Sequence, residues 1–73
     1  MEKTLYSKEH KAVVERLKKA RVKSGMSQEE ASIKLGRSQS YVSKIEAGQR
    51  RIDVVQLKKF AKIYSVKIDS LIK

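Results

Sequence analysis

Three glycines and no proline divide the chain into segments of helical length, and each of Gly25, Gly36 and Gly48 is followed within a few residues by a helix-start signal. Glycine enters the left-handed conformation just past a helix without a Cβ penalty, which lets the last carbonyls be capped. After Gly25 comes Ser27 with Glu30 three residues on, a capping box in which hydroxyl and carboxylate each satisfy a free backbone N–H. After Gly36 comes Ser38, a good N-cap. Past Gly48 and a short basic loop, Asp53 precedes another apolar-periodic run, with Gln56 where a capping partner belongs. Ser7 can cap the first segment in the same way.

Between these marks the apolar residues fall at helical spacing. Val13, Leu17 and Ala20 share a face in the first segment, Ala31 and Leu35 in the second, and Val42 and Ile45 in the third. Leu57, Phe60, Ala61 and Tyr64 follow in the fourth, and Val66, Ile68, Leu71 and Ile72 surround a last short helix. Valine and isoleucine cluster near residues 52–55 and 63–68, where a short edge strand would be the competing choice, but the i, i+3, i+4 placement argues for helix. The expectation is an all-α, compact five-helix bundle. Its 73 residues have room for one domain and one thin core, because a chain this short buries only about 60% of its unfolded surface. Residues 1–6 are expected to fray.

Composition removes whole classes of chemistry. No cysteine is present, which excludes disulfides, thiolate metal sites and cysteine nucleophiles together. The single histidine, His10, cannot build a multi-histidine metal site, and no nucleophile–base pair or paired acid site can be assembled, so no cofactor, no metal and no enzyme activity are expected. The short apolar runs exclude a membrane-spanning helix, and the charged N-terminus argues against a secretory signal; the expected location is cytoplasmic. Eighteen Lys and Arg against eight Asp and Glu leave a net charge of +10, pointing to a polyanionic partner without saying which. The excess is steepest in the first third, where Lys3, Lys8, Lys11, Arg16, Lys18, Lys19, Arg21 and Lys23 face only Glu2, Glu9 and Glu15. A merely solvated face accounts for that run about as well as a binding surface does.

The informative part is the pair of short helices, Ser27 to Leu35 and Ser38 to Ala47, joined by a turn containing only Gly36 and Arg37. So tight a turn forces a steep crossing, as in a helix-turn-helix, where the first helix braces the second and leaves its other face outside. Val42 and Ile45 point inward, whereas Gln39, Ser40, Ser43 and Lys44 share the opposite face. Gln can pair bidentately with adenine, Lys can donate to guanine O6 and N7, and Ser permits close approach. An ordinary solvated face would also include Glu or Asp, and none occurs before Glu46. Double-stranded DNA is therefore the expected partner.

Gln28-Glu29-Glu30-Ala31 through Gly36, then Ser40-Tyr41-Val42-Ser43-Lys44-Ile45-Glu46-Ala47-Gly48, resemble the Cro and cI repressor (XRE) helix-turn-helix family, from about Val13 to Leu71. The resemblance implies a bundle of the lambda-repressor-like type with its helix-turn-helix at about residues 27–47, binding operator DNA as a homodimer. By that resemblance Gln28 bonds a phosphate beside a helix N-terminus, where anions are favoured. Gln39, Ser40, Ser43 and Lys44 occupy the base-reading positions, with Ser38 at the head of their helix. Tyr41 sits where the family often has a residue on the sugar-phosphate backbone; it could equally pack half-buried, and its donor and stacking face favour the backbone contact. Arg37, Arg50 and Arg51 flank the reading helix within reach of phosphates, although solubility alone explains them about as well. The resemblance also implies an ion pair between Arg21 and Glu46, two residues that would otherwise be read as reaching for solvent.

The chain departs from that pattern at Ala31, where the family has a larger leucine, and at Ser32, where it favours alanine, so a looser brace with a buried hydroxyl is expected. Ser65 and Lys67 replace the usual glycine and capping serine before the last helix. Ile68, Leu71 and Ile72, helped by Tyr64, are the apolar residues assigned to a dimer seam. The competing function is an antitoxin or coactivator-like adaptor on the same bundle; acidic or apolar residues on the outward face of the third helix would favour it, and this chain has Gln, Ser and Lys there. Binding of the basic first helix to an anionic membrane is disfavoured, since its apolar face lacks Trp and Phe and is needed for the core. No small-molecule substrate is indicated.

Overall fold

The computed structural model describes residues 8–72, so the expected Ser7 cap and the fraying of residues 1–6 fall outside the described residues. Five helices form: α1 (Lys8–Lys23), α2 (Gln28–Leu35), α3 (Gln39–Glu46), α4 (Val54–Ile63) and α5 (Asp69–Ile72). No strand occurs among the described residues, and Val54 and Val55 open α4 instead. Both capping boxes form, Ser27 with Glu30 and Asp53 with Gln56, and Ser38 caps α3 by accepting from the Tyr41 N–H. Gly36 ends α2 at φ 72°, and the Arg37 N–H closes back on the Ser32 carbonyl at 2.9 Å, so the chain reverses within two residues.

Helix α2 packs on α3 and α4, while α1 packs on α5 and α3. Their shared interior is Leu17, Ala31, Tyr41, Val42, Ile45, Leu57, Phe60, Ala61, Tyr64 and Leu71. On α1 the stripe is centred slightly off the expected line: Val14 is buried, whereas Val13 and Ala20 are only partly so. Ala31 is fully enclosed, and the Ser32 hydroxyl is buried beside it. That hydroxyl donates to the Glu29 carbonyl at 2.7 Å, which satisfies it within its own helix. Arg16 reaches the Leu71 carbonyl at 3.4 Å and ties α1 to the end of α5.

Two of the four residues assigned to a dimer seam are part of this interior. Tyr64 and Leu71 are buried in the chain's own core, because so small a bundle draws on large apolar groups of its C-terminal segment to fill its interior. Ile68 is partly buried, and Ile72 stays exposed, as do Val22, Ile33, Val54 and Val55.

Ser65 follows α4 in the left-handed conformation, φ 56°. The Val66 N–H bonds the Ala61 carbonyl at 2.9 Å there, so the backbone makes the turn that a glycine would, with a side chain in place. Left-handed backbone crowds Cβ against the carbonyl. Ser65→Gly is therefore expected to stabilise the protein by about 0.5 to 1 kcal/mol, after the greater freedom of glycine in the unfolded chain offsets part of the relief. A urea midpoint that rises at unchanged m value is the confirming measurement.

Candidate nucleic-acid interface

Helix α3 divides into two faces. Val42 and Ile45 are fully enclosed, while Gln39, Ser40, Ser43 and Lys44 are all exposed and carry donors and acceptors outward. The cap at Ser38, the short α2–α3 turn and the buried pair Val42 and Ile45 hold this face rigidly. A helix so presented fits the width of a major groove.

At its C-terminal end α3 is fastened to α1. Arg21 Nε donates to Glu46 Oε2 at 2.7 Å and Nη2 to Oε1 at 3.2 Å, a bidentate pair with side chains 13% and 4% exposed. The implied ion pair is thus present. Arg21 Nη1 also donates to the Met26 carbonyl at 2.8 Å, so one guanidinium joins α1, the loop before α2, and α3. The hydrogen bond to Glu46 raises the Arg21 pKa, against the opposing effect of burial. The neighbouring Tyr64 phenol is pushed well above its ordinary range, mainly by burial and further by the negative charge of Glu46.

Gln28 occupies the first position of α2, and its amide donates to Glu46 Oε1 at 3.0 Å. One of its two N–H groups therefore points into the ion pair. Sequence reasoning missed this third member of the network, since residues 28 and 46 meet only through the crossing of two helices.

Of the two roles open to Tyr41, packing describes most of its ring. It is 8% exposed and stacks on Phe60 with ring centroids 6.3 Å apart and an interplanar angle of 7°. Its position on α3 lies toward the core, beside Val42, so most of the ring is an interior group. Two arginines also lie over the ring: the Arg37 guanidinium is 4.4 Å and that of Arg50 5.0 Å from its centroid. Tyr41 thereby gathers one cation from the turn before α3 and one from the loop after it. Arg51 is exposed but outside this group. Nothing in the sequence announces either contact, since Arg37 lies in the turn before the α3 cap and Arg50 in the loop after it.

Among the described residues no cluster of His, Cys, Asp or Glu could hold a metal, and no helix is long and apolar enough to cross a membrane. An open groove of about 530 Å³ is lined by Lys34, Leu35, Lys59, Lys62 and Ile63, none of them on α3.

A helix-turn-helix family model matches residues 17–71. Among solved structures the chain is similar to the restriction-modification controller protein C.AhdI from Aeromonas hydrophila, at 31% identity and a TM-score of 0.78, over 85% of this chain and 94% of that one. A comparison with curated proteins found no match.

Proposed function

Since the chain belongs to the XRE-type helix-turn-helix family of DNA-binding transcriptional regulators, we propose that it is a sequence-specific, non-enzymatic cytoplasmic regulator that binds a palindromic operator as a homodimer. In this reading residues 1–73 act as one domain. Helix α3 enters the major groove, Gln39, Ser40, Ser43 and Lys44 meet base edges, and Gln28, Arg37, Ser38, Arg50 and Arg51 hold phosphates. The observation that carries it is the outward face of α3: four exposed hydrogen-bonding side chains, none acidic, on a chain of net charge +10. Likeness to a controller protein supports regulation over an adaptor role. Two reading helices about 34 Å apart on one face of the duplex give two-fold symmetry and raise an otherwise modest affinity.

Selection from random duplex DNA tests the reading. A palindromic consensus is expected; enrichment of an asymmetric site would overturn the homodimer, and no enrichment would overturn sequence specificity. On the selected site Lys44→Ala and Gln39→Ala are each expected to lose about 1 to 3 kcal/mol, with little change on random DNA. Gln28→Ala should weaken both. Equal losses on both DNAs for Lys44 and Gln39 would restrict them to the backbone.

A further inference from the structure

We propose that Tyr41 is a positioning residue for DNA binding, a ring platform that holds Arg37 and Arg50 together as a single two-armed phosphate clamp; this rests on the DNA-binding reading above. Three observations lead to it. The ring is packed on Phe60 and largely buried, so it is a rigid surface. Both guanidiniums lie within cation–π range of its centroid although they come from opposite ends of α3. At 4.4 and 5.0 Å from one point, the two cations sit less than a Debye length apart, about 10 Å at 0.1 M salt, so they repel one another. No carboxylate among the described residues is paired with either arginine.

Two like charges brought together without a counter-charge make a site for an anion. The phosphodiester backbone is the anion that a reading helix beside them requires. The ring removes rotamer freedom from two long side chains before DNA arrives, so less ordering is needed on binding. Tyr41 acts here through the arginines, and its hydroxyl is not the contact.

The test measures duplex affinity at constant salt for the full chain, Tyr41→Leu, Tyr41→Phe, and each of these in an Arg37→Ala/Arg50→Ala background. Tyr41→Leu is expected to weaken binding by about three- to tenfold. Tyr41→Phe, which keeps the ring face, should restore most of that loss. In the background without the two arginines, Tyr41→Leu should have no further effect. A loss that persists there, or a Tyr41→Phe protein as weak as Tyr41→Leu, would overturn the platform. Proton NMR of the DNA-free protein supplies a second readout if Tyr41→Leu folds poorly. Ring-current shielding is expected to move the Arg37 and Arg50 side-chain protons upfield, and unshifted protons would overturn the proposal. An unaltered chain that binds no duplex at low salt would sink the DNA reading and the clamp with it. Duplex binding that Tyr41→Leu leaves intact would sink the clamp alone.

Discussion

Arg21→Met is expected to destabilise the bundle by about 3 to 5 kcal/mol, because it strands a buried carboxylate. Glu46 is 4% exposed, and without Arg21 the Gln28 amide is its remaining hydrogen-bond donor among the described side chains. Glu46→Met should be milder. The guanidinium it leaves behind is 13% exposed and keeps the Met26 carbonyl at 2.8 Å, so that charge retains both an acceptor and some water. The double variant leaves no charge stranded and puts two flexible thioethers in the space, so its loss should be well below the sum of the single losses. Urea unfolding of all four proteins closes the cycle, with a coupling of about 0.5 to 3 kcal/mol expected for residues in one network. Additive losses would show that the pair does not tie α1 to α3. Arg21→Met should alter DNA binding only through the folded fraction, since its side chain is not on the outward face of α3, whereas Glu46→Met also releases the Gln28 amide.

The helix boundaries were legible because their causes are local. A cap involves residues three apart in sequence, and the turn through Gly36 and Arg37 needs nothing outside it. The two faces of α3 were legible for the same reason, since periodicity alone separates Val42 and Ile45 from Gln39, Ser40, Ser43 and Lys44. Tyr41 was not, because a phenol is equally at home in a core and at a phosphate. Its place is decided by Phe60, nineteen positions away in the chain and adjacent only after α4 docks. Two of the four residues assigned to the seam were misplaced on similar grounds. Tyr64 and Leu71 read as surplus apolar residues until α5 folds back on α1 and encloses Leu71. The Arg21–Glu46 pair came from family resemblance, whereas its link to Gln28 required the crossing geometry of α2 and α3. Ser65 shows the opposite limit: its departure from the family's glycine was visible, but its positive φ reports a backbone turn that the chain makes regardless of the residue supplied.

Affinity for a duplex site is expected to fall about a thousandfold between 50 and 200 mM salt if two copies bind with Arg37, Arg50 and Arg51 on phosphates. These side chains would give a dimer about six such contacts, and each neutralised phosphate contributes about −0.9 to the slope of log K against log salt. All three are exposed and extend from the two ends of α3, so their loss should alter binding without altering the fold. Arg50→Ala then counts copies as well as contacts. In a dimer it removes one phosphate partner from each protomer and should flatten the slope by about 1.8, whereas one bound copy would flatten it by about 0.9. Titrations of a fixed duplex across that salt range, for the unaltered chain and for Arg50→Ala, distinguish the two. Affinity indifferent to salt would show that the +10 charge does not serve nucleic acid. A steep slope that Arg50→Ala leaves unchanged would place the counterion release on other cations, with the lysines of α1 the next to be replaced.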